Sequence, residues 1–149
     1  MSSSNSPSEY RVTDQVGHLL RRAYQRHTAI FQAVVPASQL SASQFVVLCA
    51  ARDHPDATIG QIVAVTAMDE PAVRGIVERL RWSGQVAVAH EPGDKRHATV
   101  ALTDQGQRTV AETLPHAQQI TEMTFGDLNA DERQQLTHLL RRISGADAG

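Results

Sequence analysis

The arginines of this sequence are the residues whose type and spacing best suit chemistry with another molecule. Of the 14 basic residues only Lys95 is a lysine. A guanidinium group can form two parallel hydrogen bonds with a phosphate or with the edge of a guanine. Arg74 and Arg79 lie in a stretch with helical periodicity, and Lys95 and Arg96 lie at the tip of a predicted hairpin. These positions predict contacts with DNA, by Arg74 and Arg96 above all. The alternative for Arg74 is a solvated ion pair with a glutamate four residues away in the same helix.

The segment 68–103 must position these side chains, and it begins as a helix. Asp69 can cap the helix, and Pro71 suits the first turn, where its missing N–H costs nothing. Apolar residues then recur at helical spacing, at Val73, Ile76, Val77 and Leu80. Ser83 and Gly84 are expected to end this helix.

Two short strands are predicted after this helix. Val86 and Val88 alternate with small or polar residues, and Ala98, Val100 and Leu102 do the same. The strands therefore flank a charged loop at 91–96 whose composition is typical of a turn. Trp82, at the end of the helix, is expected to pack under this hairpin.

The residues before this segment predict three further helices. The first begins at Thr13 or Asp14 and ends at Pro36, the second runs from a cap at Ser41 to about Asp53, and the third runs from a cap at Thr58 through 65. A tight turn at 66–68 joins the third helix to the Asp69 helix. Two short helices joined in this way, followed by a hairpin, are typical of a winged helix-turn-helix.

Two helices are predicted after the hairpin. Thr103 caps a long helix that reaches about Phe125, and Pro115 should kink it. Asn129 and Glu132 fit a capping box for the last helix. Its apolar stripe consists of Leu136, Leu139, Leu140 and Ile143. A small winged core cannot bury the stripes of the terminal helices, so we predict a homodimer, which would suit a palindromic DNA site.

The predicted fold is mostly α with a small β-hairpin wing. It comprises a winged helix-turn-helix domain with dimerisation helices at both ends of the chain. The predicted parts are a disordered tail at 1–12, a dimerisation helix at 13–36, the DNA-binding domain at 37–103, and C-terminal dimerisation helices at 104–145.

The charge balance weighs against a general polyanion binder. The formal net charge is −2, and the segment 68–103 holds five basic and five acidic residues. Because non-specific DNA affinity comes from phosphate neutralisation, binding must depend on a few well-placed arginines. The alternative is a winged-helix module that binds protein and does not bind DNA.

Composition and motifs exclude several other classes. No apolar run is long enough for a membrane span, the first residues lack a secretory core, and one cysteine suits the reducing cytoplasm. Nucleotide-binding loops and hydrolase motifs are absent, and the seven histidines show no metal-ligand spacing. We therefore expect no enzyme activity, no cofactor and no metal.

Two stretches resemble the MarR family of bacterial transcriptional regulators. The run Gly-Asp-Lys-Arg-His-Ala-Thr-Val-Ala-Leu-Thr-Asp-Gln-Gly at 93–106 is similar to the family's wing signature, and 69–80 resembles its recognition helix. The resemblance covers about 16–143. It implies a homodimer whose recognition helices enter major grooves and whose wings enter minor grooves. The DNA-contacting residues that it implies are Thr66, Asp69, Pro71, Ala72, Arg74, Gly75, Arg79, Lys95, Arg96 and His97. The chain departs from the family at Ala72, where Ser or Thr is usual, and at Arg74-Gly75, where Ser-Arg is common.

The resemblance also implies repression that a small phenolic or aromatic-acid ligand relieves. The run at 21–27 resembles members that sense aromatic catabolites. An arginine or histidine of the first helix would bind a carboxylate, and an aromatic side chain would stack on the ring. The candidates are His18, Arg21, Arg22 and Tyr24, with Phe45, Leu48 and Cys49 as the opposing wall. The alternatives are ordinary interhelical packing here, or an oxidation- or metal-responsive regulator of the same fold, although the apolar neighbours of Cys49 favour a core role.

Overall fold

The computed structural model describes residues 9–35, 40–91 and 94–145, without the side chains of 91 and 94–96. A 3-10 turn at Val12–Asp14 precedes six helices and three strands. In chain order these are α1 (Val16–Val34), α2 (Ala42–Asp53), β1 (Ala57–Thr58), α3 (Ile59–Thr66), α4 (Glu70–Trp82), β2 (Val86–Glu91), β3 (Asp94–Leu102), α5 (Asp104–Phe125) and α6 (Ala130–Ser144). Residues 1–8 of the predicted disordered tail lie outside the described ranges.

Side-chain caps begin five of the six helices at the predicted residues. In each, the side chain accepts a hydrogen bond from a backbone N–H three residues on, and the capping residues are Ser41, Thr58, Asp69, Thr103 and Asn129. The first helix is the exception. Its N-cap is Gln15, which makes no side-chain cap, because Thr13 and Asp14 belong to the 3-10 turn.

The sheet has one strand more than the two predicted. The strand order is β1-β3-β2, with Ala57 opposite Val100 on one side of β3 and Val88 opposite Val100 on the other. The strand β1 has only two residues, so the sequence shows no alternation there. The predicted loop at 91–96 is also too long, since the strands reach Glu91 and begin again at Asp94.

The core of the winged domain is aliphatic. Its most deeply buried large side chains are Leu48, Ile62, Leu80, Val47, Val73, Val100 and Val110. Helix α2 lies at the centre and contacts α3, α4, β3 and α5. The buried side of α4 packs on this core, so its other side faces solvent.

Helix α1 packs along α5, and polar contacts join their ends. The guanidinium group of Arg26 donates hydrogen bonds to the carbonyl oxygens of Met123 and Thr124 at the end of α5. His27 Nδ1 lies 2.9 Å from Thr124 Oγ1. A cation at this position also complements the negative end of the α5 dipole. The helix α5 continues through Pro115 as one element.

Arg133 connects the start of α6 to the end of α5 and the loop between them. This side chain donates to the carbonyl oxygens of Leu128 and Gly126, pairs with Glu122, and lies 5.3 Å from the centre of the Phe125 ring. The apolar stripe of α6 stays exposed. In the described part of the chain no helix is long and apolar enough to cross a membrane.

The expectation that Trp82 packs under the wing is wrong. Its side chain is 81% exposed, and its indole N–H donates to Glu78 at 3.0 Å. Trp82 lies on the side of α4 that points away from the core, so the wing cannot cover it.

Candidate DNA-binding surface and cavities

The turn between α3 and α4 sets the direction of the predicted recognition helix. Ala67 adopts the left-handed conformation, with φ 57°, and this reverses the chain within three residues. Thr66 Oγ1 donates to the carbonyl of Ile62 at 2.7 Å and accepts from the Met68 N–H at 3.4 Å. Thr66, a predicted DNA contact, is therefore half-buried and braces this turn.

The start of α4 is held by Asp69. Its Oδ1 accepts a hydrogen bond of 2.8 Å from the backbone N–H of Ala72, so the carboxylate satisfies one of the free donors at the helix end. Pro71 is exposed in the first turn, and Ala72 is half-buried. Of these three predicted contacts, Asp69 and Pro71 lie at the solvent-facing end of α4.

Two arginines of α4 are paired with acidic residues of the same helix. Arg74 donates to Glu70 Oε1 from Nε at 3.1 Å and from a terminal nitrogen at 2.8 Å. Arg81 binds both carboxylate oxygens of Glu78, and this bond lowers the pKa of Glu78. All four side chains are at least half exposed, so water solvates them and the pairs exchange readily.

Arg79 differs from these two. Its side chain is exposed and makes no hydrogen bond or ion pair with the described residues, whereas its backbone carbonyl accepts from the N–H of Ser83. It lies on the side of α4 that faces Leu40 and Gln44, at a polar cavity of about 380 Å³. Arg79 is thus the arginine of α4 whose charge no neighbouring carboxylate offsets.

The wing and α4 enclose a groove of about 390 Å³. Arg74, Glu78 and Arg81 line it from the helix, and His90 lines it from β2. His97 is exposed in β3. Lys95 and Arg96 lie in β3 by their backbone, but their side chains are outside the described residues. Gly75 is exposed on α4.

The predicted effector residues of α1 are mostly on the surface. Arg21, Arg22 and Tyr24 are exposed, and the ring of Tyr24 lies 6.2 Å from that of His27. His18 is half-buried, and its Nε2 atom is shielded from solvent without a hydrogen-bond partner in the described chain. A shielded nitrogen of this kind has the capacity to bind a further polar group.

The predicted opposing wall lies in or beside the core. Leu48 is completely buried, and the Phe45 ring lies 5.7 Å from that of Phe31. Cys49 is half-buried, and burial raises the pKa of its thiol. None of the seven predicted effector residues lines the two cavities beside α4 or the two cavities between helices that are described next. A single chain therefore does not gather these residues around one of these spaces.

Two further cavities lie between helices and were not anticipated from the sequence. One, of about 330 Å³, is bounded by the end of α2, the end of β3 and α5, and Arg52 and Leu114 line it. The other, of about 440 Å³, lies between α1, α5 and α6, where Leu20, Phe125 and Leu140 form much of its wall. Each joins residues from helices far apart in sequence, which local patterns do not reveal.

The described residues contain no group of three or more His, Cys, Asp or Glu side chains that could hold a metal ion. The surface features described above are an exposed helix with flanking arginines, a wing beside this helix, and apolar cavities between the helices behind it. An α-helix of this kind fits the major groove of DNA.

No family model matches the sequence, but individual proteins do. The chain is 47% identical to the HTH-type transcriptional repressor NicR of Pseudomonas putida, over 96% of this chain and 89% of NicR. Bordetella bronchiseptica BpsR, whose DNA binding is regulated by 6-hydroxynicotinic acid, has 49% identity and a TM-score of 0.85, over 91% of this chain and 98% of BpsR. A cysteine-to-serine mutant of Escherichia coli MarR, solved with operator DNA, has 25% identity and a TM-score of 0.78, over 90% and 99% of the two chains.

Proposed function

The chain belongs to the MarR family of transcriptional regulators, and from that premise we propose that it is a homodimeric repressor released from a palindromic operator by a small aromatic carboxylate. It is a DNA-binding transcriptional regulator and not an enzyme. Its site of action would be the cytoplasm, where the operator is. The observation that carries the proposal is the exposed outer face of α4, with Arg74 and Arg79 on its two sides and the wing beside it.

Exposed apolar side chains on the terminal helices support the dimer. Val16 is 66% exposed, Leu139 50% and Ile143 65%, although each belongs to a helical apolar stripe. Such stripes are normally buried against another element. A second copy would cover them and, through a two-fold axis, would place two copies of α4 roughly 34 Å apart, one turn of DNA.

Two features support an aromatic carboxylate as effector. BpsR responds to 6-hydroxynicotinic acid. In this chain, α1 presents Arg21 and Arg22, which have no ion-pair partner among the described residues, one turn from the unpartnered Nε2 of His18. A carboxylate accepts charge-assisted hydrogen bonds from such groups.

The effector would act by shifting a conformational equilibrium. A ligand that binds between α1 and the winged domain would favour one separation of the two recognition helices over another. It can shift this equilibrium only by its difference in affinity for the two states. The residues that we propose for this role are His18, Arg21, Arg22 and Tyr24, with Phe45, Leu48 and Cys49 behind them.

The test is a binding titration on DNA fragments selected from the source genome. We expect the full chain to bind a palindromic duplex, and 6-hydroxynicotinic acid, but not its uncharged amide, to release it. His18→Ala should bind the duplex normally and lose the response, whereas Gln25→Ala, a polar surface change on the same helix, should keep it. Absence of DNA binding at low salt would contradict the proposed function.

A further inference from the structure

The outer row of α4, which is the set of residues that point directly away from the core, carries no cation. Both sides of the helix carry arginines. At about 3.6 residues per turn, one row of residues projects directly away from the buried stripe. This row consists of Pro71, Gly75, Glu78 and Trp82, all of which are exposed. If α4 lies in a major groove, this row faces the base edges.

The arginines of α4 flank this row. Arg74 and Arg81 line the groove on the wing side, where Glu78 also borders it, and Arg79 lies on the side of α2. These positions suit the phosphates along the two rims of a major groove, because a long side chain on the flank of the helix points outward and sideways. Phosphate contacts position a protein on DNA but do not read its sequence.

Gly75 has no role that the described chain explains. A Cβ atom at this position would meet nothing within 4 Å, and glycine is a poor residue for the interior of a helix. Its missing side chain leaves room for a surface outside the chain to approach the helix backbone. On the outer row of a recognition helix, a glycine lets the helix backbone approach the base edges closely.

Glu78 is held in a defined orientation on the same row. Its carboxylate accepts hydrogen bonds from Arg81 and from the indole N–H of Trp82. The bond to Arg81 lowers the pKa of Glu78, so the side chain is ionised at neutral pH. An ionised carboxylate is repelled by phosphates, and in the major groove it needs a hydrogen-bond donor.

The donors of the major groove are amino groups. Adenine presents its amino group beside the N7 acceptor, which disfavours a carboxylate, whereas cytosine presents its N4 amino group without such a neighbour on the same base. Guanine and thymine present only acceptors at this edge, apart from the thymine methyl group. An ionised Glu78 on the outer row therefore favours cytosine over the other three bases.

We propose that Glu78 sets the base preference at one position of each operator half-site by accepting a hydrogen bond from the N4 amino group of a cytosine. The inference rests on the proposed DNA-binding function and adds a specificity-determining residue to it. Arg81 and Trp82 are positioning residues for the carboxylate. Gly75, one turn before Glu78, provides the close approach.

Selection of binding sites from random duplexes tests this proposal. The full-length protein should select a palindrome with a C·G pair at a fixed position of each half-site. Glu78→Ala should lose the preference at that position alone, by at least about fivefold in discrimination. Glu78→Gln should prefer A·T there, because an amide both donates to N7 and accepts from the adenine amino group.

Glu70→Ala is the matched control. This substitution removes the same charge and also releases an arginine, Arg74. Glu70, however, lies on the flank of α4 and does not belong to the outer row. It should strengthen binding to all duplexes alike and leave every base preference unchanged. If the parent selects a palindrome and Glu78→Ala selects the same bases at every position, the proposal for Glu78 is wrong and the residue only pairs with Arg81.

Two further results test the proposed DNA-binding function and the role of Gly75 separately. A parent protein that selects no palindrome would overturn the proposed function itself. Gly75→Ala should fold with an equal or higher Tm and bind the selected operator at least about fivefold more weakly. Unchanged affinity of that variant would remove close approach from the proposal.

Discussion

At the residue scale, the three arginines of α4 differ in how their charge is balanced. Arg74 and Arg81 share theirs with carboxylates three or four positions earlier in the helix, whereas Arg79 has no such partner in the described chain. A paired arginine must give up or share its carboxylate when it binds a phosphate. An unpaired arginine carries no such cost, so we propose Arg79 as the better candidate for a phosphate contact.

We therefore expect Arg79→Ala to weaken binding to all duplexes and to reduce the slope of log affinity against log salt concentration by about 1. Arg81→Ala, which removes the same charge from a paired position two residues later, should change the slope less. The measurement is a set of anisotropy titrations at several salt concentrations. Equal slopes for the parent and Arg79→Ala would contradict a phosphate contact.

Cys49 supplies a second prediction at this scale. Because burial raises the pKa of its thiol, less of the reactive thiolate is present at neutral pH than in an unfolded chain. We expect a thiol reagent to modify Cys49 more slowly in the folded protein than in denaturant at the same pH, and hydrogen peroxide to leave operator binding unchanged. Equal rates in the two states would contradict the effect of burial on the thiol. Peroxide-dependent release of the operator that Cys49→Ser abolishes would point to an oxidation sensor.

At the scale of elements, the junction between β3 and α5 holds the wing against the end of α4. Thr103 Oγ1 accepts from the N–H of Gly106 at 3.1 Å and donates to the carbonyl of Gly84, while its backbone N–H donates to the carbonyl of Gln85. Gly106 is buried there, and a Cβ atom on it would collide with the carbonyl oxygen of Gln85. The angle between the wing and α4 thus depends on a close backbone contact.

Gly106→Ala should destabilise the fold by about 1–3 kcal/mol, because the backbone of either segment must move to relieve the overlap. Gly75→Ala is the matched control, since its added methyl group meets nothing and alanine favours a helix, which predicts a gain of up to about 1 kcal/mol. Denaturant unfolding of the two variants measures both changes. A Gly106→Ala variant as stable as the parent would contradict the close contact.

At the scale of the whole molecule, the apolar surface is concentrated at the two ends of the chain. The winged core buries its own stripes, but α6 leaves Leu136, Leu139, Leu140 and Ile143 between 37% and 65% exposed. Arg133 donates hydrogen bonds to the loop before α6 and pairs with Glu122 of α5, and so orients this stripe for a second copy. The dimer that we propose would therefore use a preformed surface.

We expect Leu139→Asp to convert the dimer to a monomer and to weaken operator binding by about 100-fold or more, because two linked half-sites bind far more tightly than one. Gln134→Asp introduces the same charge on the opposite side of α6 and should leave both properties unchanged. Sedimentation and DNA titration measure the two effects. A dimeric Leu139→Asp variant would contradict the proposed interface.

Features that depend on neighbours along the chain can be predicted from residue types and spacing alone. Caps such as Thr58 and Asp69 bond to a backbone N–H three residues on, and helical stripes recur every three or four residues, so their residue types and spacing suffice to predict them. The helix-turn-helix and the wing follow from such local rules. The family also follows, because its wing signature is a continuous run.

Features that depend on residues distant in sequence emerge only in the folded chain. The strand β1 exists because Ala57 and Thr58 meet β3 more than 40 residues later, and Trp82 is exposed because its side of α4 has no neighbour. The cavities arise in the same way, between helices from different parts of the chain. Both the sequence and the tertiary structure are required to identify the outer row of α4. Helical periodicity places Gly75 and Glu78 on one side of the helix, and the packing of the helix decides that this side faces outward.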